Sequence, residues 1–293
     1  MFKLLKKIFN YKCHVKFLFN PFLRVMINSL GSYCGVNHIK RDIPVIVSLT
    51  SYEERFDELP KTIYSLLNQT LKPDRIILWL SDKNELNNIP YELSCFIKNG
   101  LEIKFRKDLG SYTKAYYAFK EIPESIIVTA DDDIYYSKDW LKTLYLSYVS
   151  NPNDIQVHRA HRVKIINKKI APYEEWDKQI DSEDAAFSNF LTGVGGVLYP
   201  PNCFSNEVLR EDVFLKNAPN ADDLWFWIMA VTHGKKIRVV KNHCKTLTCT
   251  NVFTQLFSKT LYKQNIDGGN DKQLENLLNF YGNNVMSKLY REL

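Results

Sequence analysis

Short apolar runs, separated by amphipathic stretches, set the pattern of the first half of the chain. Residues 43–50 and 75–80 are mostly apolar or β-branched over the length of a strand, which predicts strands buried on both faces. Between them, Ile63 and Leu67 share one face of a predicted helix that has Pro60 in its first turn. Strand, helix and strand in this order predict a parallel βαβ unit, and therefore an α/β fold with a mostly parallel central sheet.

The same alternation continues towards the middle of the chain. Residues 101–105 predict a third strand, and 126–130 predict another that is buried on both faces. Between these strands, 112–119 predict a helix with Lys114 near its start. A further helix is predicted after the strand 126–130, with Ser137 as its N-cap.

The second half of the chain changes character. Residues 155–166 predict a long strand, on which Arg159 and His161 share one face. That face could meet a phosphate or an anionic acceptor, but an ordinary solvated surface is the simpler interpretation. Further on, 220–231 predict a strong helix that ends at Gly234.

Positive charge is concentrated at the N-terminus. Residues 1–41 hold eight Lys or Arg and no acidic residue; subtracting these from 39 basic residues leaves 31 against 33 acidic residues in 42–293. A leader with Phe2 and Leu5 on one side and Lys3 on the other fits either an interfacial helix on an anionic membrane or a helix packed on the body. The near-neutral body gives no sign of a nucleic-acid surface.

Composition narrows the class of protein further. Hydrophobic residues make up 45% of the chain, yet no apolar run reaches the length of a membrane-spanning helix. The six cysteines are scattered without a CxxC pair, so the sequence indicates neither a disulfide framework nor a zinc site.

Three adjacent carboxylates, Asp131, Asp132 and Asp133, follow the predicted strand 126–130. They repel one another, so the fold must supply a compensating charge, and oxygen ligands suit Mg²⁺ or Mn²⁺. Ligands also bind at the ends of strands in open α/β sheets. A polar turn that caps the next helix is the alternative, but a cap needs only one Asp, so the triplet favours a metal site.

A second acidic pair, Asp222 and Asp223, stands at the start of the predicted helix 220–231. Asn220 suits an N-cap, and Asp223 at the third helical position would complete it, so helix capping explains the pair without chemistry. The same position also suits a base or a ligand to sugar hydroxyls. His243, isolated in the sequence, is either a third metal ligand or a structural residue.

Glycines cluster in the second half at Gly193, Gly195 and Gly196. Their spacing is not that of a phosphate-binding loop, and no Lys-Ser or Lys-Thr follows them. They predict either a close approach of the backbone to a ligand or a tight turn.

Taken in chain order, these features resemble a GT-A glycosyltransferase. The strand and loop at 45–52, the Asp131–Asp133 triplet, Thr192-Gly193 and the Asp222-Asp223 pair are similar to bacterial family-2-like surface-polysaccharide transferases and to exostosin-like transferases. The resemblance covers roughly 43–245. It implies a GT-A (Rossmann-like) fold, a nucleoside-diphosphate sugar as donor and Mn²⁺ or Mg²⁺ as cofactor. Among the possible donors, a UDP-sugar is the first candidate.

The resemblance also implies roles for particular residues. Asp133 and Asp131 would hold the metal, with His243 as a further ligand, and Asp132 would approach the ribose or the metal. Asp222 and Asp223 would bind sugar or act as the base. The remaining positions expected to bind the donor nucleotide are Thr50, Tyr52, Arg55, Asp82 and Lys114.

We therefore divide the chain into a basic amphipathic leader (1–41), a GT-A catalytic domain (42–245) and a C-terminal helical or irregular extension (246–293). The expected activity is hexosyl or N-acetylhexosaminyl transfer to a glycan or lipid-linked glycan of capsule or lipopolysaccharide. The expected location is the cytoplasm, with the leader as contact to the inner face of the membrane.

Two rival functions remain open at this point. A nucleotidyltransferase on a similar sheet would also use carboxylates and metal, but it usually needs a Gly-rich basic loop after the first strand, and 51–55 contains no glycine. A non-catalytic glycan- or membrane-binding protein on a decayed transferase fold is the other, and the intact Asp triplet and Asp pair argue against decay.

Overall fold

The computed structural model describes residues 33–84, 89–243, 247–250 and 269–292. Its helices are α1 (Leu59–Leu67), α2 (Tyr91–Ser94), α3 (Thr113–Glu121), α4 (Trp140–Ser150), α5 (Glu211–Asn217), α6 (Asp222–Thr232) and α7 (Asn270–Leu289). Its strands are β1 (Val45–Thr50), β2 (Arg75–Ser81), β3 (Leu101–Arg106), β4 (Ile126–Thr129), β5 (Ile134–Tyr135), β6 (Ile155–Val157), β7 (Ala160–Arg162), β8 (Ile165–Ile166), β9 (Lys169–Ile170), β10 (Asn189–Leu191), β11 (Val197–Tyr199), β12 (Ile237–Val239) and β13 (Thr248–Cys249).

Seven of these strands form one central sheet in the order β12-β6-β11-β4-β1-β2-β3. The pairs β1–β2, β1–β4 and β2–β3 are parallel, which confirms the βαβ unit predicted from the apolar runs. Strand β11 runs antiparallel between β4 and β6, and β12 is parallel to β6. The sheet is therefore mostly parallel, as predicted, with one reversed strand beside β4.

Helices cover both faces of the sheet, which explains why its central strands β1, β2 and β4 are largely apolar, whereas the edge strand β3 carries charged residues. Successive side chains of a strand point to opposite faces. Val47 and Leu49 of β1 thus pack in the layer that contains α1 and α4, and Ile46 packs in the layer that contains α3, α6 and α7.

The predicted strand 155–166 is divided among three sheets. Strand β6 lies in the central sheet, β7 leaves it and pairs with β10, and β8 pairs with β9. His158 and His161 are 1% and 3% exposed, so a solvated strand face is the wrong interpretation for both. Burial lowers the pKa of His158 to about 4 and that of His161 to about 3, and both rings are therefore neutral at pH 7.

The two predicted helix caps are wrong. Helix α4 has Asp139 at its N-cap, and the backbone oxygen of Ser137 accepts from the Trp140 N–H. Helix α6 has Ala221 at its N-cap with no side-chain cap, and the Asn220 N–H, which a capping carboxylate would accept, donates to Gln273 Oε1 on α7. A tertiary partner thus replaces the local one at Asn220.

The ends of the chain are described in part. Residues 1–32 of the predicted leader lie outside the described residues, while Arg41 binds Asp74 at 2.6 Å on the body. Helix α7 buries Leu277 and Val285 in the layer with α6. Among the residues that the structure covers, no helix combines the length and the apolar character needed to cross a bilayer.

Candidate active site

The loop after β1 meets the Asp triplet because β1 and β4 are adjacent, parallel strands whose carboxyl ends share one edge of the sheet. Ser51 Oγ donates to Asp132 Oδ2 at 2.5 Å. Arg55 Nη1 lies 2.7 Å from Asp133 Oδ2 and 3.2 Å from Asp132 Oδ1. Part of the compensating charge that the triplet requires is therefore an arginine of the same chain.

Lys114 links the triplet to the late acidic pair. Its Nζ lies 2.7 Å from Asp131 Oδ1 and 3.2 Å from Asp222 Oδ2, and the residue is only 7% exposed. Ser48 Oγ of β1 donates to the Lys114 carbonyl at 2.5 Å, which fixes the first turn of α3 on the sheet. Burial by itself would lower the pKa of Lys114, but the surrounding carboxylates raise it well above the usual value, so the ammonium stays charged.

Asp223 is held by a backbone turn rather than by its own helix. The Gly193 N–H donates to Asp223 Oδ1 at 2.9 Å. A Cβ at Gly193 would lie 2.9 Å from that oxygen and 3.2 Å from Lys114 Nζ, so a side chain there would crowd both groups. The glycine therefore marks a close approach of backbone to a functional group, and helix capping does not account for Asp223.

Three half-buried carboxylates of the site are hard to ionise. Burial, together with repulsion from Asp222, raises the pKa of Asp223 to about 7 against the pull of Lys114. Burial also raises the pKa of Asp132 to about 6, although Arg55 opposes the rise, and it raises the pKa of Asp131. A carboxyl group that titrates near neutral pH can accept and release protons under working conditions, as a general base must.

Hard oxygen donors and surplus negative charge at this site fit a divalent cation. The triplet and the late pair bring five carboxylates together, and their ion pairs involve two cations, Arg55 and Lys114. In the described part of the chain, Asp222 Oδ2 is buried and makes no hydrogen bond, although Lys114 Nζ is 3.2 Å away.

The described residues do not by themselves form a complete metal site. Within the described ranges, no three His, Cys, Asp or Glu side chains are grouped at metal-binding distance. Mg²⁺ at phosphate-transfer sites is usually held by one or two carboxylates plus substrate phosphates, so three protein ligands are not required. Asp131 and Asp133 are then the candidate protein ligands.

Other predicted nucleotide-binding residues lie around this centre without joining it. Thr50 Oγ1 donates to the Trp79 carbonyl at 2.9 Å, within the sheet. Tyr52 is exposed, and its hydroxyl accepts from Arg55 Nε at 3.0 Å. Asp82 is exposed just after the end of β2, next to the end of β1.

His243 lies in a different place. Its Nε2 is 2.9 Å from Asp181 Oδ1, and the residues that the structure describes show no contact between His243 and the triplet. The geometry gives no support to His243 as a third metal ligand.

Sequence reasoning did not assign three residues that the structure places against the triplet. Ser51 binds the side chain of Asp132, and Thr62 Oγ1 of α1 donates to the Asp132 carbonyl at 2.8 Å. The Tyr136 hydroxyl accepts from the Asp131 N–H at 2.8 Å. Two of the three flank the motifs, Ser51 after the first strand and Tyr136 after the triplet, but spacing alone does not show where their hydroxyl groups point.

Comparison with solved structures finds only distant likeness. A CMP:2-keto-3-deoxy-manno-octonic acid synthetase complexed with CTP is 9% identical, with 69% of this chain and 93% of that one covered and a TM-score of 0.41. S. aureus TarS 1-349 in complex with UDP is 13% identical, with 70% of this chain and 59% of that one covered and a TM-score of 0.45. The inositol-1-phosphate CTP transferase from T. maritima is 14% identical, with 78% of this chain and 98% of that one covered and a TM-score of 0.42. No curated protein sequence matches the chain.

The family assignment comes from the sequence itself. The model of glycosyl transferase family 2 matches residues 46–209, more than half of the chain, and spans β1, the Asp triplet and the Gly193 turn. Together with the mostly parallel seven-stranded sheet, this match confirms the predicted GT-A (Rossmann-like) α/β fold. The chain belongs to glycosyl transferase family 2.

Proposed function

We propose that this protein transfers a hexosyl or N-acetylhexosaminyl group from a nucleoside-diphosphate sugar to a cell-surface glycan acceptor. A UDP-sugar is the first candidate donor. The observation that carries the proposal is the position of Lys114. Its buried Nζ lies between Asp131 of the triplet and Asp222 of the late pair, so two acidic motifs that are distant in sequence form one centre. A transferase needs such a centre, since the leaving group and the attacking hydroxyl meet at one anomeric carbon.

Asp223 is the proposed general base. With a pKa of about 7, its carboxylate can take the proton of the acceptor hydroxyl as that oxygen attacks the anomeric carbon. The Gly193 N–H fixes Oδ1 and leaves the other carboxylate oxygen for the hydroxyl. A base in this role serves a single displacement, which inverts configuration at the anomeric carbon.

Asp222 is proposed to bind the transferred sugar. Within the described residues its buried Oδ2 lacks a hydrogen-bond donor, and a sugar hydroxyl is a donor of the right kind. The Lys114 ammonium contacts both Asp222 and Asp131 and so holds the two carboxylates beside each other. Its role is to hold the two carboxylates in place while the substrates bind.

The donor side of the proposed site is the triplet with the loop after β1. Asp133 and Asp131 would hold Mn²⁺ or Mg²⁺, which when bound would neutralise charge on the diphosphate leaving group. Arg55, which pairs with Asp132 and Asp133, adds a further cation there. Tyr52 and Asp82, both exposed near this edge, are proposed to meet the nucleotide.

The acceptor is proposed to be a glycan or lipid-linked glycan at the inner face of the cytoplasmic membrane. The basic leader 1–41 supports this, since it carries eight Lys or Arg and no acidic residue and would be attracted to anionic lipid. Such an arrangement would bring the catalytic domain (42–245) close to a lipid-linked substrate.

A nucleotide-sugar panel tests the proposed function. The purified full chain is incubated with each UDP-sugar and with CTP plus a sugar phosphate, with Mn²⁺ or Mg²⁺ and with excess chelator. We expect metal-dependent release of UDP from at least one UDP-sugar and no pyrophosphate from CTP. Pyrophosphate release from CTP would instead assign a nucleotidyltransferase, and no turnover of any nucleotide would indicate a binding protein.

A further inference from the structure

The turn that holds Asp223 also packs on a second basic group. A Cβ at Gly195 would lie 3.0 Å from Arg159 Cβ and 3.3 Å from its backbone nitrogen. The Thr192 N–H and Thr192 Oγ1 both donate to the Arg159 carbonyl at 3.2 Å. One short stretch, 192–195, therefore binds the Asp223 carboxylate through Gly193 and packs on the backbone of Arg159 through Thr192 and Gly195.

The Arg159 side chain is half-buried and has one unsatisfied donor. Among the residues that the structure describes, its buried Nε has no hydrogen-bond partner. Two other half-buried arginines pair with carboxylates, Arg55 with Asp133 at 2.7 Å and Arg238 with Asp154 at 2.9 Å. A buried donor without an acceptor is unfavourable, and a bound acceptor would remove that cost.

A second cation, Lys178, lies on the segment that packs against β7. The Gln179 N–H donates to His161 Nδ1 and the Ile180 N–H donates to the Ala160 carbonyl, both at 3.0 Å, so Lys178 is anchored beside the strand that begins one residue after Arg159. In agreement, Arg159 and Lys178 both lower the pKa of His161, after burial, and burial and Arg159 lower that of Lys178. Glu174 and Asp271 act on Lys178 in the opposite direction, yet neither forms an ion pair with it among the described residues. Lys178 Nζ lies instead 3.4 Å from the centre of the Tyr173 ring. Two like charges are thus held near each other beside a neutral histidine, which is the electrostatic setting of an anion site.

We propose that Arg159 and Lys178 bind an anionic group, a phosphate or a carboxylate, carried by the acceptor. This inference rests on the proposed function, because the acceptor hydroxyl must reach Asp223 and Arg159 is attached to the same turn. The guanidinium plane offers paired N–H groups that match phosphate and carboxylate oxygens, and the ammonium adds a second charge. The donor diphosphate is assigned to the triplet and Arg55, so it does not need this second cationic group.

Binding of simple anions tests the site without any need for turnover. Inorganic phosphate is titrated into the full chain by calorimetry, and glucuronate and glucose serve as a carboxylate probe and a neutral probe. We expect saturable binding of an anion and none of glucose. Arg159→Gln should weaken anion binding about tenfold or more, Arg159→Lys should weaken it less, and Lys178→Gln should weaken it by several-fold, roughly in line with lost charge-assisted hydrogen bonds.

Arg210→Gln is the matched control, because Arg210 is exposed and already pairs with Asp212 at 2.7 Å. Its anion binding should equal that of the wild type. Lys178 is exposed on a loop, so Lys178→Gln keeps the test valid if the Arg159 variants fail to fold. Unchanged binding in Lys178→Gln and in every folded Arg159 variant would overturn the proposal. Displacement of phosphate by UDP from this site would also overturn it, because the anion would then belong to the donor.

The outcome separates the inference from the proposed function. Donor hydrolysis by the wild-type protein is measured in parallel. Hydrolysis without anion binding supports the proposed function and overturns the inference. Anion binding that depends on Arg159, in a protein that releases no nucleotide from any donor, overturns the proposed function and with it the acceptor assignment of this site.

Discussion

Replacing Asp223 by Asn isolates the charge of the proposed base from its structural contact. Asparagine has nearly the same shape, and its amide oxygen can still accept from the Gly193 N–H, which is 2.9 Å from Asp223 Oδ1. What the substitution removes is one negative charge beside Asp222 and Asp131, both of which raise the pKa of Asp223. Stability and turnover should therefore respond in opposite directions.

The size of the stability effect follows from the pKa of about 7 in the fold against the usual 3.8. Because the folded pKa is raised, the folded state holds its proton to higher pH than the unfolded chain does. This contribution to stability is fully present below pH 3.8 and is lost as the pH rises to about 7. Each pKa unit is worth about 1.4 kcal/mol, so from pH 5 to pH 8 the wild type should lose about 2–3 kcal/mol relative to Asp223→Asn.

Urea unfolding at pH 5, 6, 7 and 8 in the presence of chelator measures the free energy of unfolding of both proteins. Asp184→Asn, at an exposed carboxylate, controls for the loss of one acidic residue. Turnover on the active UDP-sugar is measured at pH 7, well below the melting temperature, and should fall roughly 10²–10⁴-fold in Asp223→Asn, the range for a lost acid or base group.

Two results would refute this reasoning. If the free energies of unfolding of wild type and Asp223→Asn change in parallel with pH, the carboxylate is ionised in the fold and its burial is not costly. If turnover stays near normal while the pH dependence changes as expected, Asp223 is a buried structural carboxylate and not the base.

Three further substitutions or truncations test other parts of the site. Asp133→Asn should lower metal-dependent turnover about 10²-fold or more at unchanged melting temperature, and equal turnover of variant and wild type would remove Asp133 from the metal ligands. Gly193→Ala should lower the free energy of unfolding by roughly 1–3 kcal/mol through overpacking, since its Cβ would lie 2.9 Å from Asp223 Oδ1. Gly282→Ala is the control in thermal unfolding: its Cβ would meet its nearest neighbour at 3.6 Å, so this variant should be neutral or stabilising. A chain that begins at Lys40 should fold but no longer sediment with anionic liposomes, and binding of the full chain should weaken as salt rises; equal sedimentation of both would refute a leader-based contact.

The parallel part of the sheet was predicted well, because short apolar runs and the amphipathic helix between them are enough to indicate it. The runs 43–50 and 75–80 and the amphipathic helix between them imply parallel pairing with little dependence on the rest of the chain. The strand 155–166 was mispredicted for the complementary reason. Its alternation continues across the point where the chain leaves one sheet for another, and a period of two does not change when the partner strand does.

The candidate site was also predicted only in part: its residues could be recognised in the sequence, but their contacts could not. The acidic residues are recognisable as types and as motifs, and Lys114 was expected to be a cation near the donor. That Lys114 contacts Asp131 and Asp222 at once depends on α3 and α6 meeting over the ends of β1 and β4, which no spacing in the sequence expresses. The capping interpretation of Asp223 failed likewise, because the hydrogen bond that holds it comes from Gly193, thirty residues away.

The balance of charge at this centre bears on how the site can bind two substrates in turn. Arg55 and Lys114 pair with the carboxylates of the triplet and of Asp222, so the protein is not wholly dependent on an added cation to tolerate five buried or half-buried acids. The compensation is incomplete, since burial still raises the pKa of Asp132 to about 6 and of Asp223 to about 7. A divalent cation held by Asp131 and Asp133 would lower both pKa values and so favour the ionised form of Asp223 that the proposed base requires. If the donor brings that cation, its binding would prepare the proposed base before the acceptor enters, because one cation would serve both the leaving group and the ionisation of Asp223.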